Sequence, residues 1–251
     1  MRFRLRAFGW HLLASACVMA LVFGALYLGW YRWPGWYLSG VLKVAAIIAG
    51  VDVVLGPLLT LVIANPTKPR RGLLRDIAVI VAVQIAALVY GASALWHGRP
   101  LYYTFSVNRL EMVQASDLST QEIARGQKQN PDFAPHWYSR PRWVWAPLPS
   151  DPKLQEQIMS AAISGGDDVI DMPRYFKPRE QGIADLCKQL KAVDAIGDFS
   201  SAEKTRLKSR LQHLHIDPAK PTMMVMSGRR KPLLAVFDCP AGKMTQLLRA
   251  D

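Results

Sequence analysis

Asp52 is the one carboxylate in the apolar run Gly50-Val51-Asp52-Val53-Val54-Leu55-Gly56-Pro57-Leu58-Leu59-Thr60-Leu61. At membrane depth such a group is costly unless it is protonated or partnered. Pro57 adds a second cost, because it withholds a backbone donor and bends the helix axis. Counting about 1.5 Å of rise per residue puts Gln84 and Ser15 at about the depth of Asp52. Three readings stand open. Asp52 bonds Gln84 or Ser15 and fixes helix packing; or it faces a laterally docking helix, together with the backbone groups loosened near Pro57; or it serves a proton or ion path, for which three spans with one acid make a poor conduit. Small residues favour close approach of another backbone: Ala45, Ala46, Ala49, Gly50 and Gly56 around Asp52, and Ala82, Ala86, Ala87, Gly91, Ala92, Ser93 and Ala94 around Gln84. The candidate set for packing or partner contact is therefore Gly50, Asp52, Gly56, Pro57, Thr60 and Gln84.

Other reactive residues form no catalytic or metal-binding set. His213 and His215 are two apart and diverge on a helix. Asp167, Asp168 and Asp171 lack the glycine and terminal glutamate of a calcium loop. Neither a nucleophile elbow nor a phosphate-cradling glycine loop is present. No enzyme activity, cofactor or metal is expected. Cys17 falls in an apolar run, whereas Cys187 and Cys239 are the only cysteines of the second half. In an oxidising compartment they would pair; two buried thiols are the alternative.

The elements that must hold these residues divide the chain into a membrane module, 1–98, and a domain of α+β type, 99–251. The first carries nine Lys/Arg against two Asp, the second 22 basic against 17 acidic residues. The excess of +12 is thus concentrated around apolar segments, which points to topology and anionic headgroups and not to nucleic acid. Three transmembrane helices are predicted, Phe8–Trp30, Val41–Ala64 and Ile77–Trp96. The first is longer than a signal core and lacks a small-x-small cleavage site, so it reads as an uncleaved anchor. Arg2, Arg4 and Arg6, and the loop from Asn65 to Arg75 with Lys68, Arg70 and Arg71, place the N-terminus and that loop in the cytoplasm. The C-terminal domain is then extracytoplasmic. Trp30, Tyr31, Trp33, Trp36 and Tyr37 form an interfacial belt, with Tyr90 and Trp96 near the same level.

In the second half, Leu101–Val107 and Leu110–Val113 read as a hairpin, and Ser119 as the cap of a short helix. A Pro- and aromatic-rich loop is predicted at about 126–152. Its His136, Trp137, Tyr138, Arg140, Arg142, Trp143 and Trp145 either pin the loop to the domain's own core or contact a membrane surface or partner. Helices are predicted from Asp151-Pro152 to about Ser164, over Ile183–Val193 and over Ala202–Leu214. Thr222–Met226 and Leu233–Asp238 flank a basic tip as a second hairpin, with Met244–Leu248 as a last edge strand. The result is small sheets at both ends of the domain.

Arg6-Ala7-Phe8-Gly9-Trp10-His11-Leu12-Leu13, the Gly50–Thr60 segment and Leu74-Arg75-Asp76-Ile77-Ala78, continued by Arg99-Pro100, resemble the TfpX/TfpZ family of type IV pilin accessory proteins. The likeness is specific over roughly residues 5–115 and looser beyond. It implies a Gram-negative inner-membrane protein with a periplasmic C-terminal domain, acting beside a major pilin without a known catalytic reaction. The expected partners are the unassembled type IV pilin and membrane lipids. A membrane-bound enzyme modifying pilin and an envelope signalling protein are the competing functions. The sequence leaves the oligomeric state open.

Overall fold

The computed structural model describes residues 2–64 and 69–251 and forms two compact units, Met1–Gly98 and Arg99–Asp251. In the first unit α1 spans Arg2–Gly29, and a short α2, Gly35–Leu38, precedes the second long helix. That helix is built of α3 (Val41–Ala49), a π-helical stretch (Gly50–Leu55) and α4 (Gly56–Ile63). Helix α5 covers Arg70–His97. Three helices, Arg2–Gly29, Val41–Ile63 and Arg70–His97, are long and apolar enough to cross a membrane.

The first and third helices are longer than predicted. Arg2, Arg4 and Arg6 lie within α1, and Arg70, Arg71 and Arg75 within α5 instead of in a loop. Pro69 stands immediately before α5, where a missing N–H costs nothing. Asn65 to Lys68 of the predicted basic loop lie outside the described residues.

Met19, Tyr31, Ile48 and Leu95 make the buried centre of this unit, with Phe23, Leu26, Trp30 and Leu88 against it. The belt aromatics divide their roles. The Tyr31 hydroxyl donates to the Leu95 carbonyl at 2.6 Å, and Trp30 meets Trp96 edge-on at 4.8 Å, while Tyr90 is exposed. Gly91 admits Ile48, whose side chain fills the space a Cβ would take.

The second unit is an α+β domain. Its strands are β1 (Pro100–Ser106), β2 (Arg109–Gln114), β3 (Arg142–Trp145), β4 (Lys177–Pro178), β5 (Met223–Ser227), β6 (Leu233–Asp238) and β7 (Lys243–Arg249). They form one seven-stranded sheet in the order β4-β3-β1-β2-β5-β6-β7. The helices α6 (Thr120–Gln129), α7 (Pro152–Ile163), α8 (Ile183–Lys188) and α9 (Ser201–His213) surround it.

The predicted small sheets at the two ends are therefore one sheet. The join is a parallel pairing of β2 with β5, Leu110 opposite Met226 and Glu111 opposite Ser227. Alternation within a strand carries no information on a neighbour so distant in the chain, which is why the pattern could not show it. Two clusters complete the core. One gathers Leu101, Tyr102, Val144, Ile158 and Phe176 around β1 and β3. The other gathers Phe199, Leu207, Leu211, Met223 and Leu234 beneath α9.

Helix starts follow their caps. Asp151 Oδ1 accepts from the Lys153 N–H at 3.0 Å, and Ser200 with Glu203 forms a reciprocal capping box. The predicted helix Ile183–Val193 is shorter than expected: α8 ends at Lys188, because Lys191 leaves to bridge Met223 of β5. The predicted 126–152 loop is also interrupted, by α6 up to Gln129 and by β3 over Arg142–Trp145.

Candidate functional site

The irregularity at Asp52 begins with the backbone. In the π-helical turn the Gly56 N–H bonds the Val51 carbonyl and not that of Asp52. The next residue is Pro57, which has no N–H to give. The Asp52 carbonyl is thereby freed inside an apolar segment, where no water is at hand to satisfy it. Gln84 of α5 meets it, its Nε2 donating to the Asp52 carbonyl at 2.9 Å.

That bond fixes the rest of the network. With its amide nitrogen committed, Gln84 presents Oε1 as acceptor, and His11 of α1 lies 2.8 Å away through Nε2. Nε2 therefore carries the proton. In the neutral imidazole Nδ1 then accepts from the Thr60 hydroxyl, at 2.6 Å. Gln84, Thr60 and the Asp52 backbone are joined to α1 by one histidine, so all three long helices share a single polar seam.

The predicted residues take different places in it. Asp52, Thr60 and Gln84 are buried at 4%, 2% and 8% exposure. The Asp52 side chain does not bond Gln84 or Ser15: its Oδ2 is buried with no hydrogen-bond partner among the described residues. Gly56 is buried because a Cβ there would overlap the Gln84 amide. Pro57 is buried beside it, whereas Gly50 is exposed, with open space where a Cβ would stand. Ala46, Ala82 and Ala86 are likewise exposed. The glycines thus divide: Gly56 and Gly91 serve internal packing, and Gly50 lies on an outward face.

His11 is the member that depth counting missed. Counting from Phe8 selected Ser15, but α1 already begins at Arg2. The available signal was simpler: His11 is a polar ring within an apolar run, and such groups seek partners on neighbouring helices.

In the second unit Cys187 of α8 and Cys239, just after β6, are joined as a disulfide, with Cα atoms 6.0 Å apart. An acidic cavity of about 400 Å³ is lined by Glu111, Asp117, Asp167 and Asp171, with Gly165, Gly166 and Arg229. Arg109 pairs with Asp168 and Arg229 with Asp117. Burial, reinforced by the charges of Asp117, Glu111 and Asp168, pushes the Asp171 carboxyl up to about 7. Burial raises Glu111 as well. Among the described residues no group of three or more His, Cys, Asp or Glu is placed to hold a metal.

The aromatic segment splits between the two readings left open for it. Trp143 packs on Tyr103 at 4.8 Å, and Arg142 lies over Phe133 at 4.7 Å, so these residues pin the segment to the domain. Trp137 and Tyr138, by contrast, are exposed at 73% and 59%.

Three apolar helices bound by a polar seam, followed by an α+β domain, define a membrane-inserted protein with a substantial C-terminal domain. A fimbrial assembly protein of serogroup I from Dichelobacter nodosus is 30% identical over 235 residues, which cover 92% of this chain and 89% of that protein. The chain belongs to this fimbrial assembly family. The serogroup E1 protein of the same organism is 28% identical over the same share of both chains. The protein of serogroups C1 and C2 is 31% identical over 115 residues, 46% of this chain and 88% of its own length. No family model matches the chain, and no solved structure matches it.

Proposed function

We propose that this protein is a type IV pilin accessory protein of the TfpX/TfpZ kind, which binds the unassembled pilin in the inner membrane without catalysing a reaction on it. In this reading the N-terminus is cytoplasmic and the C-terminal domain periplasmic, as the basic flanks of the spans predict. The spans dock the single membrane helix of the pilin, and the domain contacts its head. The subunit is protected, or presented, before assembly.

The observation that carries the reading is likeness to a fimbrial assembly protein over 92% of the chain, spans and domain together. The membrane unit adds a physical reason. Its polar groups are used mainly to join its own helices, whereas Ala46 and Gly50 on the second long helix and Ala82 and Ala86 on α5 leave outward faces that another backbone can approach closely.

Photo-crosslinking side chains at Ala46 and Ala82 in pilin-expressing cells test it. Adducts with unassembled pilin from at least one site are expected. Absence of any pilin adduct, in a protein that still supports piliation, contradicts helix docking. Pilin of equal mass with and without this protein is expected for a binding role, and a mass difference would assign it a modifying one.

A further inference from the structure

We infer that the turn His136–Ser139 is a membrane-interface anchor, which seats Trp137 and Tyr138 among lipid headgroups.

The strand pairing sets the position. Helix α5 ends at His97 and β1 begins at Pro100, so the first residues of β1 mark the end of the sheet that is covalently joined to the span. Strand β3 runs parallel to β1, with Arg142 opposite Tyr102 and Trp145 opposite Phe105. Whatever immediately precedes β3 must therefore lie at that same end of the sheet. The residues that do so are His136 to Pro141.

Hydrogen bonds fasten the base of this segment to the start of β1, to β3 and to the chain at Pro173–Phe176. The Tyr102 hydroxyl donates to the Phe133 carbonyl at 2.5 Å, and Arg142 Nη1 donates to the Asp132 carbonyl at 2.6 Å. Asn130 Nδ2 donates to the carbonyls of Pro173 and Phe176, at 2.9 and 2.8 Å. Beyond the base the chain makes a tight turn. The Ser139 N–H donates to the His136 carbonyl at 3.1 Å, and Ser139 Oγ accepts from the His136 N–H at 2.8 Å. Trp137 and Tyr138 are the two central residues of this turn, in edge-on contact at 5.5 Å, with His136 stacked on Tyr138 at 5.5 Å.

A rigid turn that holds two large aromatic rings out of the core has a specific chemistry. Trp and Tyr combine an apolar body with a polar tip and collect at the headgroup level of bilayers. The flanking charge is of the matching sign: Arg140 and Arg142 follow the turn, against one acid, Asp132, before it. Basic groups this close to a bilayer are attracted by anionic lipid. The occupant of the surface is accordingly the lipid interface, and not a soluble partner.

The far end of the same hairpin supplies an internal control. Ile163, at the end of α7, is 86% exposed and lines a cavity with Val107 and Asn108, the residues that join the end of β1 to the start of β2.

The test uses the full chain in nanodiscs of phosphatidylethanolamine and phosphatidylglycerol. Cys17 is the single free thiol, so Cys17→Ser with either Trp137→Cys or Ile163→Cys gives one nitroxide site with the disulfide intact. Collision with oxygen and with a water-soluble nickel chelate reads depth. The oxygen-to-nickel ratio is expected to be about threefold or more higher at 137 than at 163, because apolar depth concentrates oxygen and excludes the chelate. Tyr138→Cys is expected to repeat the result, which guards against local distortion by either substitution. Equal, aqueous ratios at 137, 138 and 163 overturn the anchor. So does a label at 137 that becomes protected only when pilin is added, which would make the turn a protein-binding surface.

Discussion

In the membrane unit a carbonyl freed by Pro57 is met by Gln84, whose other end reaches His11 and through it Thr60. In the C-terminal unit Glu111, Asp117, Asp167 and Asp171 instead crowd one cavity, where Arg229 pairs with Asp117, while Arg109 pairs with the adjoining Asp168. The difference follows from solvent. Between apolar helices a freed backbone group must find a partner within the protein, so a few such contacts determine how the helices assemble. Beside water, like charges can be tolerated, and their cost appears as a dependence on pH. The stability of the first unit should therefore respond to geometry, and that of the second to covalent closure and protonation.

The largest effect is expected from the disulfide. It closes a separation of 52 residues, and opening it by Cys239→Ser should cost about 4 kcal/mol in the chain-entropy model. Denaturant unfolding of the purified chain checks this. A transition assigned to the C-terminal unit should move, while one assigned to the helices should not.

Asp171 comes next. Its carboxyl lies at about 7 in the folded domain against 3.8 for a free side chain, so the folded state holds the proton more tightly. This contribution is fully present below about pH 4 and is lost as the pH rises through 7. Asp171→Asn should remove that loss and stabilise the domain at pH 8 relative to wild type, by on the order of 2 kcal/mol, with a much smaller gain at pH 5. Melting curves at the two pH values measure the difference.

A smaller effect is expected in the spans. Gly56→Ala would push the flexible Gln84 amide aside and break its bonds to Asp52 and His11, at a cost of roughly 1 kcal/mol. Gln84→Ala should cost a similar amount. The double variant should be little worse than Gln84→Ala alone, because both changes remove the same bonds. Full additivity would show that Gly56 acts through something other than Gln84.

The contrast between the units also governs what the sequence revealed. The spans were legible because length and hydropathy suffice for them, and Asp52, Pro57 and Gln84 stand out against an apolar background. The π-helical turn was not legible, since it depends on which carbonyl Gly56 bonds, and His11 was hidden by a register counted from the wrong residue. In the C-terminal unit local chemistry was readable: the Ser200 and Asp151 caps and the β5–β6 hairpin follow from short patterns. Pairings between distant strands, such as β2 with β5 and β1 with β3, leave no local trace. The second of these decides where Trp137 and Tyr138 stand, so their role emerged only from the fold.

The proposed function rests on contact with pilin before assembly. Its most direct test is purification of the full-length chain from cells in which pilin is made but pilus assembly is blocked, in mild detergent. Unassembled pilin should co-purify in near-stoichiometric amount, and a bulky substitution on an outward face, such as Gly50→Leu, should reduce its recovery without lowering the level of this protein. Recovery of the intact protein free of pilin, from membranes that contain both, would contradict the proposal.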